Sequence, residues 1–405
     1  MILSHRTQSN DRRVLSAVTL LYVASVPFDV LPVASGRTLT APLALLLLAT
    51  WFFSSLRRPE KISFPRSAGT LLFLYCSWII CTIFWSVDTG ASITAAQTIL
   101  LQAPLMVILS NTLGRVWLGS LVTLGCSTSV LGLVLLTRPP DALRGDRASV
   151  GVDENVTAMV LVVGFAALVY VVTRVGGRRA ALLLPPAVVT GVATLHGGSR
   201  SGAISTVAVL VVALLLLLQR GRLRPAVWFR AAGIVLLVYF AFTIALDVGL
   251  MPQRVVDLIN QGASYQDARR SQIIDLFLQT FDHWAFFGVG VGNDAAYLNA
   301  TQSVALNAHS LLWATWIETG LIGVTLFAAF LTVVVKRGLQ SVASEAVILL
   351  GVPIVVFAIT LGGERTSVFW FVVALALIQP PSASLSTEMT ASEARRVSSG
   401  TRATE

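Results

Sequence analysis

The sequence predicts an all-α polytopic membrane protein with about twelve transmembrane helices. Of its 405 residues, 55% are hydrophobic and only 12% are charged. The mean hydropathy of +0.78 is far above the usual range for soluble globular domains. Apolar runs long enough to cross a hydrocarbon core of roughly 30 Å, which takes about 20 residues each, recur along nearly the whole chain.

Twelve such runs follow one another, and two of them are short. The seventh, which carries Pro185-Pro186, and the twelfth are candidates for tilted, kinked or re-entrant segments, so we expect ten to twelve spans. No small-residue cleavage site follows the first run, which we interpret as a retained signal anchor. The runs are Val14–Val33, Thr38–Leu56, Ala68–Trp85, Ala91–Leu113, Val116–Thr137, Val156–Thr173, Ala180–Leu195, Gly202–Gln219, Ala226–Leu250, His309–Val335, Val342–Leu361 and Thr366–Ile378.

The runs divide the chain into four parts. Residues 1–250 form a bundle of about nine helices, 251–308 a large loop, 309–379 about three more helices, and 380–405 a polar tail that we expect to be disordered. The loop is the only sizeable segment outside the membrane. We therefore expect much of the chemistry to lie at the side that it occupies.

The distribution of Lys and Arg predicts the orientation of the chain. Nineteen of these residues flank the spans on the side of the N-terminus, whereas nine lie on the opposite side, which contains the longest loop. Because cytoplasmic loops keep an excess of positive charge, both termini should be cytoplasmic and the large loop extracytoplasmic.

Composition excludes some functional classes. The net charge of +9 is divided among short membrane-flanking loops, with no basic domain to form a nucleic-acid footprint. The three cysteines, Cys76, Cys81 and Cys126, lie inside predicted spans, where thiols usually behave as small apolar groups. Neither a disulfide framework nor a metal site is indicated, and no cofactor is expected.

The large loop contains an amphipathic pattern. Ile273, Phe277, Phe281 and Trp284 recur at helical spacing, which predicts an interfacial helix lying on the membrane. Arg270 stands at the end of this stripe, where it can meet lipid headgroups or a phosphate-bearing substrate. The glycines of the following GVGVG run lack the βαβ context of a dinucleotide fingerprint, so a tight turn or a close approach to a ligand is the better interpretation.

Two further positions on the outward side are candidates for a site. Arg200, in LHGGSRSGAIS, should begin the eighth helix, where free backbone N–H groups and the helix dipole favour an anion. His309 should head the tenth helix, and Trp313 and Trp316 fall within roughly 40° of it around the helix axis. Glu318 points the opposite way and should face the bundle interior, because a charge facing lipid is costly.

The order of these features resembles the O-antigen ligase and O-antigen polymerase family. SRSG at 199–202 is similar to that family's Ser-Arg signature between two spans, and Arg270 matches its arginine ahead of a glycine pair. AHSLLWATWIETGLIG, from Ala308, resembles the stretch that ends its large outward loop. Ser310 differs, because the family usually has asparagine after the histidine. Around Arg147 and Asn155 the similarity is loose.

The resemblance implies a membrane glycosyltransferase. A glycan carried on a polyprenyl diphosphate would be transferred to an acceptor hydroxyl on the outer face of the bacterial plasma membrane, by a polymerase or by a ligase. Arg200, Arg270 and Arg147 would bind the diphosphate, and His309 would take or orient the acceptor proton. Trp313 and Trp316 could stack on a sugar ring. No metal is implied.

One alternative of another class remains, a transporter or flippase of lipid-linked oligosaccharide. Many apolar spans and basic inner loops suit such a protein equally well. Transporters often show repeated halves that meet at polar residues near the midplane. This sequence has no evident internal repeat, and its polar features gather at the outward surface.

Overall fold

The structure is a computed structural model. It describes residues 2–33, 37–57, 63–138, 153–175, 177–219, 233, 236, 243, 273–303, 308, 310–361 and 365–378, with side chains left aside at 2–12, 32–33 and 37. Within these residues the fold is helical, apart from a two-residue antiparallel ladder between β1 (Pro32–Val33) and β2 (Arg37–Thr38).

Twelve α-helices are numbered here in chain order. They are α1 Ile2–Ser25, α2 Thr40–Arg57, α3 Arg66–Thr82, α4 Thr89–Leu136, α5 Glu154–Arg174, α6 Gly177–His196, α7 Arg200–Gln219, α8 Phe281–Trp284, α9 Asp294–Gln302, α10 Leu311–Gln340, α11 Ser344–Thr360 and α12 Ser367–Ala376. Short 3-10 helices follow α1 at Val26–Val30 and α3 at Ile83–Trp85.

The described helices confirm a polytopic membrane protein. Eight of them are long and apolar enough to cross a membrane, and α11 and α12 are shorter apolar helices. At 48 residues, α4 is about 72 Å long, more than twice the roughly 30 Å of a hydrocarbon core. Its backbone leaves the helical region at Val116, the first residue of the second of the two spans predicted there. The predicted span Ala226–Leu250 lies almost wholly outside the described residues, so the total of twelve stays a prediction.

The seventh predicted span is longer than the sequence indicated. Pro185 and Pro186 lie inside α6, which continues for 20 residues and is apolar enough to cross a membrane. The hydroxyl of Ser129 on α4 donates to the carbonyl of Pro186 at 2.9 Å, and Thr190 donates to the same carbonyl at 2.7 Å. The carbonyl of Pro186 is thus bonded to α4, and the two prolines lie within the helix instead of ending it.

Two helices form the interior of the bundle. Almost every side chain of α5 is buried, and all ten residues of α12 are buried. A helix that is apolar on every side belongs inside a bundle, where other helices surround it. At ten residues, α12 is about 15 Å long, which agrees with the prediction that the last apolar run is too short to span unaided.

Contacts between helix ends define the two ends of the bundle. At one end, Arg174 at the end of α5 forms an ion pair with Glu345 at the start of α11. At the other end, Ser201 of α7 donates to Thr360 at the end of α11 at 2.9 Å. We call the second one the Arg200 end. The N-terminal ends of α5, α7, α10 and α12 all belong to it.

The large loop reaches the bundle through residues 285–293, which we call the glycine clamp. On one side the clamp pairs with α10. The amide of Val289 donates to the carbonyl of Ile317 at 2.9 Å, and the amide of Gly290 donates to the carbonyl of Glu318 at 3.0 Å. The clamp therefore lies beside α10 with strand-like hydrogen bonds.

The other side of the clamp binds the connection between α3 and α4. The hydroxyl of Ser92 donates to the carbonyl of Val291 at 2.8 Å. The side-chain amide of Asn293 donates to the same hydroxyl at 2.6 Å, and its carbonyl oxygen accepts from the amide of Asp88 at 2.7 Å. The glycines thus allow the clamp to lie close to other segments of the protein rather than to a ligand.

Glycine is needed where the clamp crosses α10. At Gly320 the helix breaks, with φ +69° and ψ −174°. A Cβ on Gly320 would lie 2.2 Å from the carbonyl oxygen of Phe286, and one on Gly288, at φ +77°, would lie 2.3 Å from that of Glu318. Only glycine fits both the left-handed backbone and these distances. The tenth predicted span is therefore two helical segments that meet at Gly320.

The predicted interfacial helix differs from the structure between 273 and 284. Residues 273–278 are helical, a turn follows at 279–280, and α8 adds one further turn. Ile273, Phe277 and Trp284 are buried in a cluster with Leu298 and Ile317. Three of the four stripe residues thus pack against protein, whereas Phe281 is 38% exposed. The preceding residues, including Arg270, lie outside the described residues.

Candidate active site

Arg200 begins α7, as the sequence predicted. The turn before it is held by Ser199, whose hydroxyl accepts from the amide of Gly202 at 3.2 Å and donates to Asn155 Oδ1 at 3.0 Å. The first contact satisfies a free N–H group at the helix start. The second brings the N-terminal end of α5 beside that of α7. Asn155, a loose match in the sequence, therefore contacts the turn that carries Arg200.

The guanidinium of Arg200 has an unsatisfied donor. Its Nε is buried and has no hydrogen-bond partner within the described part of the chain. A buried donor without a partner is costly, roughly 1–3 kcal/mol, and calls for an explanation such as a ligand or an ordered water. Because the group also lies at a helix N-terminus, an anion with two or more oxygens would satisfy it best.

The start of α10 meets the same end of α11 as the start of α7. Ser310 precedes α10, and its hydroxyl donates to the carbonyl of Ala358 at 3.2 Å. Ser201, next to Arg200, donates to Thr360, two residues further along α11. The last turn of α11 is therefore a shared support for the two segments that the sequence selected independently. We call this place the α11 junction.

Glu318 is buried and paired, which confirms that it faces the bundle interior. Its side chain is 4% exposed, and both carboxylate oxygens accept from Nη2 of Arg365, at 2.6 and 2.5 Å. In the sequence Arg365 is one outward arginine among nine. Nothing near it indicates a partner 47 residues earlier, so sequence reasoning missed this pair.

Trp313 and Trp316 share a face of α10, as their spacing predicted. Their rings stack with centroids 5.6 Å apart and planes inclined by 18°. The edge of Trp284 contacts both rings, with centroids 6.4 and 5.6 Å away. The indole N–H of Trp316 donates to the carbonyl of Ala285 at 2.9 Å. Trp316 is therefore tied to the clamp, whereas Trp313 has no hydrogen bond within the described chain.

His196 has a structural role. It is 2% exposed, and its Nε2 lies 3.0 Å from the carbonyl oxygen of Arg138 at the end of α4. This contact joins α6 to the end of α4. The histidine is thus a satisfied residue at the boundary of the bundle.

Three predicted site residues, His309, Arg270 and Arg147, lie outside the described residues. Both chain neighbours of His309 are described. Ala308 is buried, and its amide donates to Asp294 Oδ2 at 2.8 Å, while Ser310 bonds to α11. The structure brings the residues that follow Arg200 and His309, namely Ser201 and Ser310, to the α11 junction, and it places Trp313 and Trp316 further along α10.

The described part of the chain contains no group of three or more His, Cys, Asp and Glu side chains that could hold a metal ion. Metal independence stays a prediction.

Fold and site together define a multi-pass membrane protein with a polar site at one end of its helical bundle. Residues 185–328 match the model of the O-antigen ligase family. The match confirms the resemblance over that segment, which runs from the prolines of α6 past the kink of α10. It includes Arg200, Arg270 and His309 but neither Arg147 nor Arg365. No curated protein gives a significant match to the chain.

Proposed function

We propose that the protein is a membrane glycosyltransferase that moves a glycan from a polyprenyl diphosphate carrier to an acceptor hydroxyl. The observation that carries this proposal is the α11 junction. There, the start of α7, with the unsatisfied donor of Arg200, and the start of α10, next to His309, are held by the same turn of α11. The match to the O-antigen ligase family over 185–328 supports the same class of reaction.

Arg200 acts on the leaving group in this proposal. The acceptor hydroxyl attacks the anomeric carbon, a new C–O bond forms, and the bond to the diphosphate breaks with its electron pair. The leaving diphosphate gains negative charge, which preorganised donors in a site of low dielectric constant stabilise strongly. The free Nε of Arg200 and the N-terminus of α7 are such donors, and Arg270 is proposed as a second one, with Arg147 as a third.

His309 takes the proton of the acceptor. An unperturbed imidazole has a pKa of about 6.5 and is mostly neutral at physiological pH, so it can accept this proton. Positioned bases of this kind contribute about 10²–10⁴-fold to rate. Support for the role comes from the chain on either side, where Ala308 and Ser310 are both anchored by hydrogen bonds.

Trp313 is the better candidate for contact with sugar. Both tryptophans are partly exposed, but the indole N–H of Trp316 is committed to the carbonyl of Ala285. Trp313 is half-buried, and among the described residues its indole N–H has no hydrogen-bond acceptor. It can therefore stack on a sugar ring and donate to a sugar hydroxyl.

The reaction is placed at the outer face of the bacterial plasma membrane, with both termini cytoplasmic. This follows from the basic residues, which gather at the end of the bundle opposite Arg200, for example Arg174, Lys336 and Arg337. The donor lipid would reach the site from the bilayer and the acceptor from the lipid or the water. The protein would need no metal for turnover.

The test is transfer by the purified protein in lipid nanodiscs. The donor is a synthetic oligosaccharide on a polyprenyl diphosphate, and mass spectrometry follows the glycosylated acceptor and the released lipid diphosphate. We expect one diphosphate released per glycan transferred, no effect of EDTA, and loss of most activity in His309→Ala. Arg200→Lys should also lose activity, because an ammonium cannot reproduce the planar fork of a guanidinium. Arg66→Ala, at the opposite end, is the matched control.

Two results would contradict the proposal. If the protein moves the donor across a bilayer while the bond between sugar and diphosphate stays intact, it is a flippase. If EDTA abolishes transfer and a divalent cation restores it, a metal has a role that the proposal omits.

A further inference from the structure

Three phenylalanines near the glycine clamp are unusually exposed. The exposed fractions are 86% for Phe84, 56% for Phe286 and 55% for Phe287. Phe84 lies in the 3-10 turn after α3, and the other two lie in the large loop. We call these three residues the Phe wedge. Large apolar groups exposed together mark a surface that something apolar covers.

The wedge residue Phe287 packs against aromatic side chains of the protein. Phe287 contacts Phe286 with ring centroids 5.1 Å apart, and it contacts Trp78 and Trp85 at 6.4 and 6.2 Å. The indole N–H of Trp78 donates to the carbonyl of Thr319 at 2.7 Å.

Trp85 adds a similar bond, to the carbonyl of Gly288 at 3.2 Å. Both tryptophans turn their polar edge toward the backbone of α10 and the clamp. The rings of Phe286 and Phe287 remain more than half exposed.

The position of the wedge along α3 places it at the boundary of a membrane. Arg66 begins α3 and is exposed. Eighteen residues separate it from Phe84, which is about 27 Å at 1.5 Å per residue. A hydrocarbon core is about 30 Å thick. If Arg66 meets headgroups at one face, Phe84 lies near the other boundary of the core.

The exposed surface of α3 runs without a break into the wedge. Phe73 is 70% exposed and Ile80 is 44% exposed, and at 100° per residue they fall roughly 20° and 40° from Phe84 around the helix axis. These side chains form one lipid-facing stripe. The wedge continues that stripe and adds two residues from the large loop to its end.

We propose that the Phe wedge inserts into the bilayer at the Arg200 end and anchors the large loop to the lipid. The occupant of this surface is the boundary between acyl chains and headgroups, where aromatic rings are favoured. A soluble partner fits less well, because the patch is continuous with a transmembrane stripe. Of the four residues to which the sequence assigned membrane contact, Ile273, Phe277 and Trp284 are buried in protein and Phe281 is 38% exposed. The main contact of the loop with lipid is thus made by Phe286 and Phe287 instead.

The anchor has a structural consequence. The clamp carries both Phe286 and Phe287, and the same clamp bonds to α10 through Val289 and Gly290. Insertion of the wedge therefore fixes the depth at which α10 breaks at Gly320. This inference does not depend on the chemistry at the α11 junction.

Site-directed spin labelling tests the proposal. Nitroxides are attached to single cysteines at 84 and at 287, in a full-length protein whose native cysteines are replaced by serine. The protein is placed in nanodiscs of phosphatidylethanolamine and phosphatidylglycerol. Molecular oxygen concentrates in the acyl chains, whereas a water-soluble nickel complex is excluded from them. Position 300, exposed on α9, is the control.

We expect labels at 84 and 287 to collide more often with oxygen than with nickel, and the label at 300 to show the reverse. Nickel preference at 84 and 287 would overturn the proposal. Protection from both reagents would also overturn it, because the surface would then be covered by protein, such as a second copy of the chain. Since Phe84 is 86% exposed, its replacement should leave the fold intact, and helicity measured by circular dichroism checks this.

Discussion

Glu318 on α10 is bonded both to Arg365, just before α12, and to Gly290 in the glycine clamp. Its carboxylate accepts from Nη2 of Arg365 at 2.6 and 2.5 Å, and its backbone carbonyl accepts from the amide of Gly290 at 3.0 Å. Arg365 lies two residues before α12, and Gly290 belongs to the clamp. The segment of α10 next to the α11 junction is therefore fixed to both the buried helix and the large loop.

Substitutions of the two partners of this ion pair should lower the free energy of unfolding by different amounts. The side chain of Glu318 is 4% exposed and that of Arg365 is 36% exposed. In Arg365→Ala, a buried carboxylate loses its ion pair with Arg365, and we expect the free energy of unfolding to fall by roughly 3 kcal/mol or more. In Glu318→Gln, water can solvate the remaining guanidinium, so the loss should be about 1 kcal/mol.

Unfolding by sodium dodecyl sulfate, followed by circular dichroism, measures both losses. The double variant should recover part of the loss in Arg365→Ala, because the buried charge is gone. Equal losses in the two single variants would mean that the carboxylate is not buried as the structure has it.

Gly288 and Gly320 should tolerate no side chain. Each has a positive φ, and a Cβ would approach a backbone carbonyl oxygen to 2.3 and 2.2 Å. A left-handed backbone alone costs a non-glycine residue about 1–3 kcal/mol. We expect Gly288→Ala and Gly320→Ala to give protein that aggregates or melts far below the wild type in size-exclusion and thermal assays.

Gly351 on α11 provides the matched control. It has helical backbone, and nothing lies within 4 Å of a Cβ built on it. Gly351→Ala should be neutral or should stabilise by up to about 1 kcal/mol. Stable protein from both clamp variants would show that the clamp does not pack as closely as described.

The fold class and the start of α7 were predictable because both depend on local patterns. Apolar runs of about 20 residues are read directly from the sequence, and Arg200 lies in a short connection between two of them. Pairings between distant segments have no such signal. Trp78 and Thr319 are 241 residues apart, and Glu318 and Arg365 are 47 apart. The amphipathic stripe at Ile273 was read correctly as apolar on one face, but periodicity does not reveal whether lipid or protein covers that face.

Substitution of Trp316 should mainly lower stability, whereas substitution of Trp313 should mainly weaken substrate binding. Trp316 has a hydrogen bond to Ala285 and ring contacts with Phe281 and Trp284, so Trp316→Ala should lower the free energy of unfolding by roughly 2–3 kcal/mol. Trp313→Ala should cost less stability and should raise KM for a glycan substrate while leaving kcat nearly unchanged. Turnover assays at several substrate concentrations, together with thermal melts, measure the difference. The reverse pattern would assign sugar contact to Trp316.

The large loop should face away from the cytoplasm. Ala300 lies on α9 and is exposed, so a cysteine placed there in a protein without native cysteines should react with a membrane-impermeant thiol reagent in intact cells. The reason is the excess of Lys and Arg on the other side of the membrane. A cysteine at Ser67, exposed at the opposite end of α3, should be labelled only after lysis. If the cysteine at 67 is labelled in intact cells and the one at 300 only after lysis, the orientation of the chain is the reverse of the predicted one.

The most direct test of the account is an experimental structure of the protein with a polyprenyl diphosphate bound in nanodiscs. The account predicts that a phosphate oxygen lies within hydrogen-bond distance, about 3 Å, of Arg200 Nε. The diphosphate should also lie beside the α11 junction, next to the chain on either side of Ser310. A diphosphate bound more than about 15 Å from Arg200, well beyond the Debye length of about 8 Å at physiological salt, would contradict the proposed site.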